Sequence, residues 1–302
     1  MSTSLSQLDL PANSPRPATA LPFSIRPLQP FGAEVELDLG RELGPAEQSA
    51  FRELFYREKL LVFRRQQLSE DAQVRVMSYI GKVLGRSGEY REISADGNLG
   101  GGPLCYHSDL SFTAEPFKAL SLHALQVVEG ESSTNFANGI RALRSLSAEL
   151  RGMVDHHDAL AVISLVQSHR AVSYNVPDFL PQFTRPAVIT HPVTGEHILY
   201  VTEMQTAQLK GLNQNDSDAL LEELFAYLYS PANVYRHEWR EGDVVIWDNL
   251  ALQHARSDLR HCTVRRLQRI AVADKSFFDL CPQFKLDDPR IAAWGAGQQL
   301  DL

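Results

Sequence analysis

The sequence predicts a β-rich core with inserted helices, and three observations lead there. Short apolar or alternating runs open the chain, return in its middle and close it, with helical stretches placed between them. No regular strand–helix–strand alternation appears, so a doubly wound parallel sheet fits less well. No internal repeat points to a solenoid or propeller. The 302 residues permit one large domain or two. The reading adopted is a tail over residues 1–20 and a single domain over residues 21–302.

The elements follow in order. Phe23 to Leu39 alternates in part and begins the sheet. Gly44-Pro-Ala-Glu47 opens a helix with Phe51, Leu54 and Phe55 at helical spacing. Lys59 to Phe63 is a buried strand. Ser69 caps a second helix, which runs towards Ile80 and ends near Gly81 or Gly85. Residues 86–104 are rich in glycine and polar groups and read as a loop, a candidate lid. Ala119 to Val128 is a strand, and Gly139 to Leu150 an amphipathic helix carrying Ile140, Leu143, Leu146 and Leu150 on one side. Residues 155–185 read as irregular. Pro186 to Val201 forms two strands around a Thr-Gly turn. Asn215 to Tyr229 is a helix with Leu220, Leu221, Leu224 and Leu228 as its apolar stripe. Val234–Trp239, Asp243–Trp247 and Arg266–Val272 are the closing strands.

Hydrophobic residues at 44% and charged residues at 22% match a globular domain able to bury a sizeable core. The net charge of −8 argues against a nucleic-acid binder, yet leaves room for a local basic pocket. Three widely spaced cysteines, Cys105, Cys262 and Cys281, offer neither a disulfide framework nor a CxxC site, so a reducing cytoplasm is expected. Cys105 reads as a small buried residue near His107. Residues 1–20 lack a basic start and apolar core, and no run of about 18 apolar residues occurs, so neither a signal peptide nor a membrane span is expected.

The chemistry centres on His107 and Asp109 in Cys-Tyr-His-Ser-Asp-Leu-Ser-Phe and on His254 in Trp-Asp-Asn-Leu-Ala-Leu-Gln-His. On a strand, residues two apart share a face, so one segment would present an imidazole and a carboxylate together. A distant imidazole, expected at a sheet end, would complete the 2-His-1-carboxylate set of non-heme Fe(II) oxygenases, with three metal positions left open. Arg265 and Arg269 share a face if residues 265–271 are extended. Two guanidiniums facing an interior need anions, and the fork of an arginine matches a carboxylate. The alternative is that both are solvated surface charges. Asp155-His156-His157-Asp158 reads as a solvated turn, because adjacent side chains diverge. His123 reads as a core histidine, His191 and His197 as structural or exposed, and Phe112 and Trp247 as core. No Gly-x-Gly-x-x-Gly or Gly-x-Ser-x-Gly motif supports a nucleotide site or an esterase elbow.

Several segments together resemble the TauD/TfdA family of taurine and 2,4-D dioxygenases. They are Tyr-His-Ser-Asp-Leu-Ser-Phe at 106–112, Ser-Thr-Asn-Phe-Ala-Asn-Gly at 133–139, Gly-Asp-Val-Val-Ile-Trp-Asp-Asn at 242–249, Gln-His at 253–254, and Arg265 with Arg269. Each motif is weak alone; their combination and order are specific, and the similarity covers roughly residues 23–275. The resemblance implies a double-stranded β-helix, a jelly-roll or cupin-like barrel with flanking and inserted helices. It implies Fe(II) held by His107, Asp109 and His254, with 2-oxoglutarate and dioxygen as co-substrates. Thr134 and Arg265 would bind the far carboxylate of 2-oxoglutarate, and Arg269 the acid group of the substrate. Such enzymes are commonly dimers or tetramers, so a homo-oligomer is expected.

The implied reaction is oxidation of a C–H bond of a small acidic molecule, with release of succinate and CO2. Hydroxylation is the expected outcome, and desaturation or ring closure stays open. Asp109 speaks against halogenation, which needs a small residue there. The chain departs from the family pattern at Glu131-Ser-Ser133, where two glycines are usual, and at Pro103, where taurine-type members carry asparagine. The segment 83–90 also lacks the histidine that meets a sulfonate. These departures point away from taurine itself. Two other readings remain open from sequence: a non-catalytic anion-binding barrel, and a cupin-like metalloenzyme that does not use 2-oxoglutarate.

Overall fold

The computed structural model describes residues 21–84, 92–94, 100–165 and 176–297. The expected tail, Gly85 and parts of the segments 86–104 and 155–185 lie outside the described residues.

Strands β1 (Ser24–Pro27) and β2 (Ala33–Glu36) precede helix α1 (Pro45–Glu58), which buries Phe51, Leu54 and Phe55. Proline suits the first turn of α1, where its missing N–H would have had no partner. The fully buried β3 (Leu60–Phe63) leads to α2 (Glu70–Ser78), where the Ser69 side chain accepts a hydrogen bond from the Ala72 N–H at 3.2 Å. Next come β4 (Glu92–Ser94), β5 (Leu104–His107), β6 (Ala119–Val127) and β7 (Ser133–Asn138). Two short helices follow, α3 (Gly139–Ser145) and α4 (Ala148–Val154), capped by Asn138 and Ser147. Strands β8 (Asp158–Val162), β9 (Gln182–Pro186), β10 (Val188–Thr190), β11 (His197–Leu199) and β12 (Thr206–Leu209) lead to α5 (Gln214–Leu228). Strands β13 (Val234–Glu238), β14 (Val244–Asp248), β15 (Leu252–Arg256) and β16 (Arg265–Val272) then precede α6 (Phe277–Leu280) and α7 (Pro289–Gly297).

A seven-stranded sheet runs β1-β2-β3-β14-β6-β16-β4, and a four-stranded sheet runs β13-β7-β15-β5. Alternate residues of the large sheet serve two cores. Leu61, Phe63, Val244, Ile246 and Ile270 pack under α1 and α2. Leu60, Val62, Val245, Trp247 and Leu267 meet Phe136, Trp239 and Leu252 from the smaller sheet. Two sheets closed over a shared apolar layer make a double-stranded β-helix. Helices α3, α4 and α5 pack with Leu199, Val201 and Leu209 in a third cluster. Gly139 is required at the start of α3, because a Cβ there would lie 2.8 Å from both Ile198 Cγ2 and the Leu199 carbonyl oxygen.

Four expectations need correction. The helix placed over residues 139–150 is two helices, because Ser147 caps a new one: its side chain accepts from the Leu150 N–H. The segment 155–185 contains β8 and β9, which pair in one antiparallel sheet with β12. In the segment 86–104, residues 92–94 are a strand paired with β16. His254 lies within β15, flanked by β5 and β7, rather than at a sheet end.

His191 is buried and structural. The N–H groups of Val193 and Thr194 both donate to its Nδ1 at 3.1 Å, so its hydrogen sits on Nε2 and is donated to Asp248 Oδ2 at 2.8 Å. The other Asp248 oxygen accepts from the N–H groups of Leu250 and Ala251, shaping the turn into β15. Replacing His191 with Ala removes the imidazole donor from the buried Asp248 carboxylate and is expected to cost about 1.5–3 kcal/mol of unfolding free energy. Urea denaturation followed by circular dichroism reads this, and a loss below about 1 kcal/mol would mean that the pair does not hold the turn.

Candidate metal centre

The centre is assembled by one pairing and one turn. In the register of β5 with β15, His107 lies directly opposite His254, and the two imidazole rings are 4.2 Å apart between centroids. Asp109 is not on the strand, contrary to what its spacing from His107 predicts. β5 stops at His107, and residues 108–113 turn, with Leu110 at φ +60°. Hydrogen bonds from the Ser111 N–H to the Ser108 carbonyl and from the Thr113 N–H to the Leu110 carbonyl, both 3.0 Å, define that turn.

Asn249 fixes the turn from the end of β14. Its side-chain oxygen accepts from the Asp109 N–H at 2.9 Å, and its amide donates to the carbonyls of Asp109 at 3.0 Å and Phe117 at 2.8 Å. Both backbone polar groups of Asp109 are therefore held by one buried side chain. As a result, Asp109 Oδ1 lies 3.4 Å from His107 Nε2 and 3.6 Å from His254 Nε2. One ligand atom from each of the three residues lies within 4.8 Å of the others. Two nitrogens and one oxygen at this spacing can share one cation.

The protonation states suit a metal. His107 Nδ1 donates to the Cys105 carbonyl at 2.8 Å, which leaves the lone pair of Nε2 facing Asp109. Burial, and then the neighbouring His107, push the His254 imidazole down to about 3, so it is neutral at physiological pH. Burial disfavours the Asp109 carboxylate, but the Arg269 guanidinium outweighs it and holds the group ionised, well below the usual carboxylate range. Arg269 Nη2 donates to Asp109 Oδ2, and its guanidinium lies 5.3 Å from the Phe117 ring centroid.

Two further polar side chains, Thr134 on β7 and Arg265 on β16, are buried outside the triad. Thr134 on β7 is buried, and Trp239 Nε1 donates to its hydroxyl oxygen at 3.0 Å, so the Thr134 O–H is left to donate elsewhere. Arg265, Leu267 and Arg269 share one face of β16, and Arg265 is only 2% exposed. Its Nε and Nη1 have no hydrogen-bond partner among the described residues. Burial, and then the like charge of Arg256, push the Arg265 guanidinium down to about 9. A buried guanidinium with unsatisfied donors suits a carboxylate, such as the far end of a dicarboxylate.

The other candidates sit apart from this centre. Cys105 is half-buried beside Glu203, where burial and then the Glu203 charge push its thiol up to about 12. His123 is a core residue hydrogen-bonded to the Gln66 backbone, and His197 is exposed. Residues 155–157 form a polar turn after α4. Trp247 and Phe112 are buried. Sequence reasoning gave no role to Asn249, Trp239 or Arg256. The signal for Arg256 was present, since it lies two residues beyond His254 and so on the same face of β15.

Comparison with known proteins agrees with this geometry. The model of the "Taurine catabolism dioxygenase TauD, TfdA family" matches residues 24–271. The alpha-ketoglutarate-dependent 2,4-dichlorophenoxyacetate dioxygenase of Cupriavidus pinatubonensis is 29% identical, over 78% of this chain and 96% of its own length. The alpha-ketoglutarate-dependent sulfate ester dioxygenase of Pseudomonas putida is 26% identical, over 84% of this chain and 90% of its own. The crystal structure of a taurine dioxygenase from Burkholderia xenovorans superposes with a TM-score of 0.70 at 26% identity, covering 84% of this chain and 90% of that one. The chain therefore belongs to the TauD/TfdA family and is an Fe(II)- and 2-oxoglutarate-dependent dioxygenase.

Proposed function

We propose that His107 Nε2, Asp109 Oδ1 and His254 Nε2 hold the iron, that Thr134 and Arg265 hold the far carboxylate of 2-oxoglutarate, and that Arg269 binds the acid group of a small anionic substrate. The observation that carries this reading is the convergence of the three ligand atoms within 4.8 Å of one another, together with a buried guanidinium, Arg265, whose Nε and Nη1 have no partner among the described residues. Iron and 2-oxoglutarate, when bound, supply the oxidising power: dioxygen is consumed, the keto acid leaves as succinate and CO2, and a C–H bond of the substrate is oxidised.

The protein's own part is placement. Thr134 and Arg265 fix one end of the keto acid, so that its other end meets the triad in a single orientation. Arg269 uses only Nη2 on Asp109, and a guanidinium has five N–H donors, so others stay available for a substrate acid. Placing that acid at Arg269 brings the carbon chain of the substrate to the metal. Hydroxylation is the outcome proposed. The relatives named for phenoxyacetate and sulfate ester substrates support a carboxylate or sulfate as the acid.

We further propose that residues 21–302 act as one domain and that the enzyme is a cytoplasmic homo-oligomer without nucleic-acid or membrane partners. No helix among the described residues is long and apolar enough to cross a membrane. The three cysteines are unpaired, which suits a reducing compartment.

Two experiments test the site. Replacing Asn249 with Ala frees the Asp109 backbone and is expected to weaken metal binding by about 10- to 100-fold with the fold retained. Titration with Co(II) or Mn(II), with circular dichroism alongside, measures this; unchanged affinity would show that Asn249 does not position the ligand. In the second, purified enzyme with Fe(II), 2-oxoglutarate and dioxygen is offered phenoxyacetates, alkyl sulfates and alkylsulfonates, together with their neutral esters or alcohols. Succinate is expected in stoichiometric amount with oxidised product, from the acids only. Replacing Arg269 with Ala is expected to raise KM for the accepted acid by about 30-fold or more, the loss of one buried charge pair. Equal turnover of acids and neutral analogues would overturn the role of Arg269, and product without 2-oxoglutarate would overturn the co-substrate pocket.

A further inference from the structure

The co-substrate pocket contains a cation that the family resemblance did not provide. In the register of β15 with β7, Arg256 lies directly opposite Thr134, as His254 lies opposite Phe136. Residues two apart on a strand share a face, so Arg256 and His254 face the same interior. Arg256 is only 6% exposed, and after burial its like charge is the next cause that lowers the Arg265 guanidinium. Arg256 therefore lies beside Thr134 across the strand pair and within electrostatic reach of Arg265. A single carboxylate has two oxygens and about four lone-pair sites, enough to accept from all three.

Arg256 is also tied to the chain entering the metal centre. Its Nη2 donates to the carbonyls of Gly100, at 2.8 Å, and Gly102. Between them, the Gly101 carbonyl accepts from the Leu259 N–H at 2.7 Å. Three successive carbonyls ahead of β5 are therefore held by the segment 256–259, and β5 ends at His107.

We propose that Arg256 is a second arginine for the far carboxylate of 2-oxoglutarate, sharing it with Arg265 and Thr134 while its Nη2 keeps hold of Gly100 and Gly102. The inference rests on the assignment of that carboxylate to Arg265 and Thr134. The role is one of binding and selectivity: the enzyme distinguishes a dicarboxylic keto acid from a monocarboxylic one by two buried guanidiniums rather than one.

The test uses the full-length protein loaded with Mn(II), titrated by calorimetry with 2-oxoglutarate and with 2-oxopentanoate, which keeps the chelating end and lacks the far carboxylate. The variants are Arg256→Gln, which retains an amide donor for the glycine carbonyls but no charge, and Arg265→Gln. Arg256→Gln is expected to weaken 2-oxoglutarate by about 10- to 100-fold, the loss of a charge-assisted contact. Binding of 2-oxopentanoate and affinity for Mn(II) are expected to stay as in the wild type, and the melting temperature of the ligand-free protein is expected not to fall. Unchanged 2-oxoglutarate affinity in Arg256→Gln overturns the inference. So does an equal loss for both keto acids or a lowered melting temperature, because each marks Arg256 as a strap for the loop alone. If Arg265→Gln also leaves 2-oxoglutarate binding intact, the pocket itself is misplaced, and the failure belongs to the underlying assignment.

Discussion

The register of β15 between β5 and β7 is the constraint on which the site depends. One strand brings His254 opposite His107 on one side, and opposite Phe136 on the other, with Arg256 opposite Thr134. A slip of one residue would turn His254 and Arg256 to the outer face and bring Gln253 and Ala255 inward. The metal centre and the cationic pocket would vanish together. What prevents the slip is apolar: Leu252 points into the layer of Trp247, Phe136 and Trp239, where it is fully buried. The turn before β15 is held separately by Asp248, whose two oxygens take the N–H groups of Leu250 and Ala251 and the Nε2 hydrogen of His191.

The charges follow a different logic from the packing. Asp109 is the single carboxylate among the three metal-facing side chains, and Arg269 already pairs with it. Arg265 lies further along the same interior and is buried. Desolvating cations in this way lowers stability unless an anion joins them. A stable core would not collect such groups for its own sake. Such a group fits the site proposed above, whose anions would arrive with the reaction.

Much of this was readable in the sequence, for definite reasons. The buried strands around Val62, Val245 and Leu267 are apolar runs, and the helix stripe of Leu220, Leu221, Leu224 and Leu228 has helical period, so local pattern sufficed. The sharing of a face by Arg265, Leu267 and Arg269 followed from strand period once β16 was recognised. The break between α3 and α4 was harder, because the apolar spacing of Leu143, Leu146 and Leu150 continues through it and only the Ser147 cap marks the new start. β8 and β9 were missed because their pairing partners are remote or follow a long connection. Asn249 and Trp239 were missed for a related reason: each acts on a residue more than a hundred positions away, Asp109 and Thr134, and no local spacing reveals that.

The departure of Asp109 from the strand explains how three ligands converge at all. Neighbouring antiparallel strands put His107 and His254 side by side, their rings already in contact. A third ligand two residues along the same strand would stand roughly 6–7 Å further on, given the rise of a β-strand, and would point parallel to His107 rather than towards it. Ending β5 at His107 and turning through Leu110 brings the carboxylate back to within 3.4 and 3.6 Å of the two Nε2 atoms. A turn is less rigid than a sheet, and the Asn249 clamp on both backbone groups of Asp109 supplies the rigidity it lacks. The sheet thus sets the two imidazoles, the turn sets the acid, and the side chain that joins them comes from β14's end, so the centre exists only when both halves of the barrel have closed.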